Sequence, residues 1–213
     1  MRTPPAVQTF FRLILDMLFP VECLVCGAAG TYACDDCLDE QIPQMTHLPE
    51  MDLMFSASAY DPPAQQWISA LKYHGVRSLA KPLGIRMAEA LPQTLFSGLT
   101  VVPIPLNPRR ERERGFNQAS LLSKIIAAER RIPLDSLLLK RSRYTTPQVK
   151  QESRQQRLAN LTGAFHVSAP ILPRHVLLVD DVTTTGATLE EAARTLRTAG
   201  CQRIWAITYA IKH

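Results

Sequence analysis

The chain has 213 residues, 46% hydrophobic and 20% charged, which is typical of a globular protein and excludes disordered or fibrous classes. No apolar run approaches the roughly 20 residues that cross a bilayer, because Arg12 and Asp16 interrupt the N-terminal apolar stretch and Pro20 ends it. Composition therefore predicts no membrane span, and the lack of a signal-peptide pattern predicts a cytoplasmic protein.

Charge is distributed unevenly along the chain, although the formal net charge is only +5. Residues 1–60 contain 2 basic and 8 acidic residues, whereas residues 109–157 contain 13 basic and 5 acidic ones. A basic excess of this size favours an anionic ligand or partner, such as a phosphate compound or a nucleic acid. The alternative for most of these basic residues is a solvated surface.

The first segment, residues 1–20, is predicted to be an amphipathic helix. Its apolar residues recur at helical spacing and are Val7, Phe10, Phe11, Ile14 and Leu18. We expect this helix to pack on the rest of the protein. A helix on a membrane surface is the alternative, but such helices carry several basic residues on the polar face, and this one carries Arg12 alone.

Four cysteines follow as two CxxC pairs in residues 21–50, which we expect to form a small zinc-binding module. They are Cys23, Cys26, Cys34 and Cys37. Two such turns can direct four thiolates at one ion, and zinc prefers this tetrahedral environment. Four protein ligands leave no position for water, so the zinc is predicted to be structural. Disulfides and redox dithiols are the alternatives. Disulfides are disfavoured in a reducing compartment, and redox dithiols do not usually occur as close tandem pairs.

A proline-rich, acidic connector, residues 43–52, marks the boundary to the larger predicted module, residues 51–213. Within this module, apolar segments of strand length alternate with amphipathic helical patterns. The predicted strands cover residues 55–60, 100–104, 176–179 and 204–211, and the predicted helices cover 64–72, 79–90, 117–130 and 188–198. Such alternation predicts parallel strands in an α/β sheet that is covered by helices on both faces.

The most informative segment, residues 175–188, runs from a buried strand through two acids into a Thr/Gly turn that opens a helix. Backbone N–H groups at such a turn can bind a phosphate beyond the end of a parallel strand. The residues predicted to do so are Thr184, Thr185, Gly186, Ala187 and Thr188. Asp180 and Asp181 would accept hydrogen bonds from ribose hydroxyls or hold a divalent cation. The alternative is an ordinary strand-to-helix turn in which the acids act as caps.

This segment resembles the signature of the phosphoribosyltransferases, which is four apolar residues, two acids, two further residues and a Ser/Thr/Gly loop. With the CxxC pairs, residues 71–75 and the arginine-rich segment 109–119, the chain is similar to the ComF/GntX family of amidophosphoribosyltransferase-like proteins. That family is associated with competence, DNA uptake and the use of external DNA as a nutrient. The resemblance implies a mostly parallel sheet flanked by helices and preceded by a four-cysteine zinc module.

The resemblance also implies a ligand, which is phosphoribosyl pyrophosphate with Mg²⁺ or a nucleotide phosphate. The Thr/Gly loop would hold the 5-phosphate, and the acids would contact the ribose. The arginines expected near the pyrophosphate, or in a loop that closes over the substrate, are Arg112, Arg114, Arg143 and Arg157. Thr184 stands where purine-salvage members carry an aspartate that accepts a proton from the base, so the resemblance assigns no catalytic residue here. No nucleobase-recognition hood is evident in the sequence, so it assigns no acceptor either.

Two functions from different classes are consistent with these features. The first is a phosphoribosyltransferase, or a domain that binds phosphoribosyl pyrophosphate. The second is a non-enzymatic accessory protein of DNA uptake, which would bind single-stranded DNA or contact a DNA-uptake or DNA-processing protein through the zinc module. A shortage of exposed aromatic residues among the basic ones weakens direct nucleic-acid binding.

Overall fold

The computed structural model describes residues 20–95, 98–141, 161–169 and 172–212. The predicted N-terminal helix, except for its last residue, lies outside this part of the chain, as do Arg143 and Arg157. Within the described ranges, every helix is too short or too polar to cross a membrane.

A five-stranded sheet with the strand order β1-β2-β7-β6-β3 forms the centre of the molecule. Its strands are β1 (Gln44–Thr46), β2 (Leu53–Ala59), β3 (Leu99–Pro103), β6 (His175–Thr183) and β7 (Arg203–Ile211). All neighbouring strands are parallel except β1 and β2. The predicted mostly parallel sheet is therefore confirmed. A separate antiparallel pair is formed by β4 (Leu139–Arg141) and β5 (Phe165–Val167).

Helices cover both faces of the sheet. In the described residues they are α1 (Asp35–Asp39), α2 (Pro62–Tyr73), α3 (Ala80–Glu89), α4 (Pro108–Arg114), α5 (Gln118–Arg130) and α6 (Ala187–Thr198). Two of the longer ones, α2 and α5, begin at side-chain caps: Asp61 accepts a hydrogen bond from the N–H of Ala64 at 3.0 Å, and Asn117 accepts one from that of Ala119. Pro62 at the first position of α2 moves that start two residues ahead of the predicted one.

Strand β6 separates two hydrophobic clusters. Leu177 and Val179 belong to the cluster that contains α2, α3 and α5, whereas Val176 and Leu178 belong to the cluster that contains α6 and the β4-β5 pair. The predicted strand ended at Val179, but β6 continues to Thr183 because β7 pairs with it along that whole length. The two acids therefore lie within the strand, and consecutive strand residues point to opposite faces.

The cysteine segment packs on the face formed by α2 and α3. Cys23 and Cys37 belong to the same buried cluster as these helices. The indole N–H of Trp67 donates to the carbonyl of Tyr32 at 3.2 Å, and Arg86 donates to the carbonyl of Leu38 at 3.1 Å. The predicted connector contributes β1 to the edge of the sheet. Cysteine segment and sheet thus share one hydrophobic core, while the module boundary near residue 50 stays a prediction.

Candidate functional site at the carboxyl end of β6

The ion pair between Asp181 and Lys72 joins two distant parts of the chain. Asp181 is only 6% exposed, and its Oδ1 lies 2.8 Å from Nζ of Lys72 in the last turn of α2. The ion pair places the end of α2 over the carboxyl end of β6. Lys72 belongs to the segment 71–75 that contributed to the family resemblance, but sequence reasoning assigned it no role.

Asp180 has a different environment. The N–H of Asp181 donates to its Oδ1 at 2.8 Å. Burial, and then the negative charge of Asp181, raise the pKa of Asp180 to about 7, against the opposing effects of Lys72 and Arg141. A cation bound near Asp180 would favour its ionised form over the protonated one.

Two arginines that the sequence analysis did not select lie near this acid. Arg141 at the end of β4 stacks over the ring of Phe165, with 5.5 Å between the guanidinium carbon and the ring centroid. Burial, together with the positive charge of Arg110, lowers the pKa of Arg141, while the charge of Asp180 opposes that change. Arg110 and Asp180 therefore both lie close enough to Arg141 for their charges to act on it.

The predicted phosphate loop lies between β6 and α6. Gly186 occupies the position before α6 with a left-handed φ of 79°, and its carbonyl accepts the N–H of Glu190 at 2.9 Å. Thr184 is exposed, Thr185 and Thr188 are half-buried, and Ala187 is buried. The loop therefore follows the acid pair after two more strand residues and opens a helix, as predicted. Phosphate binding by these residues stays a prediction.

The connector contacts this loop through one leucine. A Cβ atom added at Gly186 would lie 2.6 Å from Cδ1 of Leu48, which is far inside van der Waals contact. Glycine is therefore favoured at position 186 for two reasons, the left-handed backbone and the space that the Leu48 side chain occupies. The sequence analysis gave only a phosphate-related reason for this glycine.

Gly186→Ala is expected to lower the free energy of unfolding by about 1 to 3 kcal/mol, from backbone strain and overpacking. Adding Leu48→Ala to this variant should recover the steric part of the loss and leave the backbone part. Urea denaturation measures both. Gly163→Ala is a matched control, because Gly163 has a φ of 70° and open space around its Cα. Equal losses in Gly186→Ala and Gly163→Ala would contradict the role of Leu48.

A cavity of about 600 Å³ opens beside the acid pair, between the end of α2 and α4. Its lining residues are Lys72, Tyr73, His74, Gly75, Arg110, Glu113, Arg114 and Phe116. The predicted residue Arg114 is thus brought together with Lys72, and its guanidinium carbon lies 5.0 Å from the Tyr73 ring centroid. Arg112 is exposed on α4 and does not belong to this lining, since residues 110, 113 and 114 share a helix face that it lacks.

The four predicted zinc ligands come together in the structure. All four sulfur atoms lie within 4.8 Å of one another, and those of Cys26 and Cys34 are 3.5 Å apart. Zinc–sulfur bonds of about 2.3 Å in a tetrahedron require sulfur separations of about 3.8 Å. The cluster therefore could hold a zinc ion with small adjustments.

The protonation of the cluster supports this fit. Burial disfavours the thiolate of Cys23, but backbone N–H groups of Cys26, Cys34 and Val25 overcome it and lower the pKa of Cys23 to about 6. Burial, followed by the neighbouring sulfurs, raises the pKa of Cys37. Four thiolates cannot coexist at this spacing without a cation, and a divalent metal supplies the missing charge.

The sheet, the acid pair and the strand-loop-helix turn define a phosphoribosyltransferase-like domain. Residues 113–213 match the family model described as the phosphoribosyl transferase domain. Similarity to other proteins narrows the assignment from this class of domain to one family. The chain is 30% identical over 195 residues to the DNA utilization protein YhgH of Escherichia coli K12, covering 87% of this chain and 82% of that protein.

Two competence proteins are also similar. The chain is 33% identical over 201 residues to Competence protein F of Haemophilus influenzae, covering 87% of this chain and 84% of that protein. It is 30% identical over 145 residues to Competence protein ComFC of Streptococcus pneumoniae, covering 68% of this chain and 62% of that protein. The chain belongs to the ComF/GntX family, which confirms the resemblance found in the sequence.

Proposed function

We propose that this protein binds phosphoribosyl pyrophosphate, or the phosphoribosyl part of a nucleotide, and acts in DNA uptake or in the use of external DNA. The observation that carries the proposal is the Thr184–Thr188 turn, which follows Asp180 and Asp181 at the carboxyl end of a central parallel strand. Membership of a family with competence and DNA-utilization relatives supports the biological role.

Each part of the site would have a separate task. Backbone N–H groups of the loop would bind the 5-phosphate, because they lie at the N-terminus of α6, where the helix dipole is positive. Asp180 would accept a hydrogen bond from a ribose hydroxyl, while Lys72 holds Asp181 in place. Arg110, Arg114 and Arg141 would attract the pyrophosphate.

The acid pair is also suited to Mg²⁺, which prefers carboxylate and phosphate oxygens. Asp180 would hold the ion together with the ligand's pyrophosphate, since Asp181 points to the other face of β6 and is paired with Lys72. The ion would supply positive charge where the pyrophosphate carries negative charge. Lys72 already neutralises the charge of Asp181, so Asp180 is expected to contribute more to Mg²⁺ binding.

We further propose that Cys23, Cys26, Cys34 and Cys37 hold one structural zinc ion. The close approach of the four sulfurs supports this, as does the lack of any ligand position left for water. The cluster would then stabilise the face that α2 and α3 contribute to the shared core.

A non-enzymatic accessory role is the second candidate. Loop residues 182–188 contain no acid and no histidine, so this loop offers no side chain that could accept a proton from a base. Under this alternative the site would bind its ligand without turnover, and the protein would serve DNA handling through contacts with single-stranded DNA or a partner protein.

Calorimetric titration with phosphoribosyl pyrophosphate, with and without Mg²⁺, tests the proposal. We expect Asp180→Asn to weaken binding about tenfold or more, since it removes a charged hydrogen-bond acceptor. Asp39→Asn is the matched control, because Asp39 is an exposed acid on α1. Absence of binding, or binding unchanged in both Asp180→Asn and Asp181→Asn, would contradict the site. Pyrophosphate release with candidate acceptors would favour the enzyme, and binding without release the accessory role.

A further inference from the structure

A groove runs along α3, between this helix and the cysteine segment. It consists of two cavities of about 600 and 220 Å³, which adjoin because Thr31 and Pro82 line both of them. One wall comes from the cysteine segment, and the other comes from α3 and the short turn that precedes it. The groove shares no lining residue with the cavity beside the acid pair, so its occupant is independent of the ligand proposed there.

The α3 wall of this groove presents a single helix face. Its lining residues recur at intervals of four, three and four residues, and they are Ser78, Pro82, Ile85 and Glu89. Ile85 is half-buried, as is Val21 on the opposite wall. In the part of the chain that the structure describes, neither side chain forms or packs against the two hydrophobic clusters. These apolar side chains outside the core therefore suit an apolar occupant.

The sequence of this chain supplies an apolar segment of matching length. The predicted N-terminal helix, which precedes the described residues, carries apolar residues at helical spacing from Val7 to Leu18. This interval corresponds to about 16 Å of helix, and the interval from Ser78 to Glu89 along the groove has the same number of residues. An isolated helix of about 12 residues is marginal in water, so the segment needs a surface on which to pack.

The chain connection brings this segment to one end of the groove. Val21 lines the smaller cavity together with Ser78, and it directly follows the predicted helix of residues 1–20. Elements joined by so short a connection are usually neighbours in space. A helix whose last turn lies near Ser78 and which runs antiparallel to α3 would reach Glu89 with its first turn. Attachment and length therefore agree on the same placement.

We propose that residues 7–18 dock as an amphipathic helix in this groove of their own chain, antiparallel to α3. Their apolar stripe would pack on Pro82 and Ile85, and the polar side of the helix, with Arg12 and Asp16, would face solvent. The docked segment would also cover Cys34, a proposed zinc ligand that lines the groove. The inference goes beyond the proposed function, because the groove contains no residue of the acid pair or of the phosphate loop.

Hydrogen exchange of the full chain tests this docking. Amides of residues 8–18 should be protected in the wild type, and Ile85→Asp should accelerate their exchange about tenfold or more, because it places a charge beneath the apolar stripe. Pro82→Asp should have the same effect. Aspartate is favourable in the first turn of a helix, so α3 should remain folded in this second variant. Leu137→Asp is the matched control, because Leu137 is 69% exposed and lies outside the groove lining.

Amides of β6 and β7 report on the rest of the fold in the same experiment and should keep their protection in all three variants. If Ile85→Asp also exposes these amides, the comparison of Pro82→Asp with the wild type decides the outcome. Repeating the measurement after about tenfold dilution should leave the protection of residues 8–18 unchanged, since docking within one chain does not depend on concentration.

Rapid exchange of residues 8–18 in the wild type, or equal protection in Pro82→Asp and the wild type, would overturn the inference. Protection that is lost on dilution would assign the segment to a second copy of the chain. Protection that appears only with vesicles containing anionic lipid would assign it to a membrane surface. Either of these two results would also overturn docking in the chain's own groove.

Discussion

Replacing Cys34 by serine is expected to reduce zinc from about one ion per chain to nearly none and to destabilise the protein by several kcal/mol. Structural zinc binding releases about 10 to 16 kcal/mol in small zinc peptides, and one missing thiolate forfeits much of it. The effect should spread beyond the cysteine segment, because Cys23 and Cys37 lie in the same hydrophobic cluster as α2 and α3.

Metal analysis and hydrogen exchange measure this prediction. Amides of α2 and α3 should lose protection in Cys34→Ser, whereas those of α6, which packs in the other cluster, should keep it. Cys201→Ala is the matched control, since Cys201 is a buried thiol outside the four-cysteine cluster and its loss should leave the zinc content unchanged. A wild-type protein without zinc, purified under reducing conditions and without chelator, would contradict the prediction.

Lys72→Met is expected to cost about 3 to 5 kcal/mol of stability, because it leaves the buried carboxylate of Asp181 without its cation. Methionine retains most of the apolar stem, so the loss reports on charge rather than packing. The double variant Lys72→Met/Asp181→Asn should recover most of the stability, since it removes both charges. Binding of phosphoribosyl pyrophosphate should remain weak in both variants, because each lacks the oriented carboxylate.

Urea denaturation of the wild type, the two single variants and the double variant gives the coupling energy of the pair. Lys81→Met is the matched control, since Lys81 is exposed on α3 and its replacement should change stability by less than about 0.5 kcal/mol. Additive losses in the double variant would show that Lys72 and Asp181 act independently, against the prediction.

Features that depend on short-range spacing could be predicted from the sequence alone. Each CxxC turn directs its two sulfurs by local geometry, so the spacing predicted a cluster that the structure brings within 4.8 Å. The strand, acids, Thr/Gly turn and helix of residues 175–188 are likewise contiguous, and they predicted the place of the strand-to-helix turn after the acids. Alternating apolar segments predicted parallel strands for the same reason, because burial on two faces leaves a local pattern.

Features that join distant segments were decided only by the tertiary structure. Lys72 and Asp181 are more than 100 residues apart, and no local pattern shows that the end of α2 reaches β6. The contact of Leu48 with Gly186 and the electrostatic effect of Arg141 on Asp180 likewise depend on how the chain returns across the sheet. Even the length of β6 was set by its neighbour: Asp180 and Asp181 lie within the strand because β7 supplies hydrogen-bond partners as far as Thr183. Local spacing in the sequence thus predicted the features built from neighbouring residues, and long-range packing determined which distant residues contact one another.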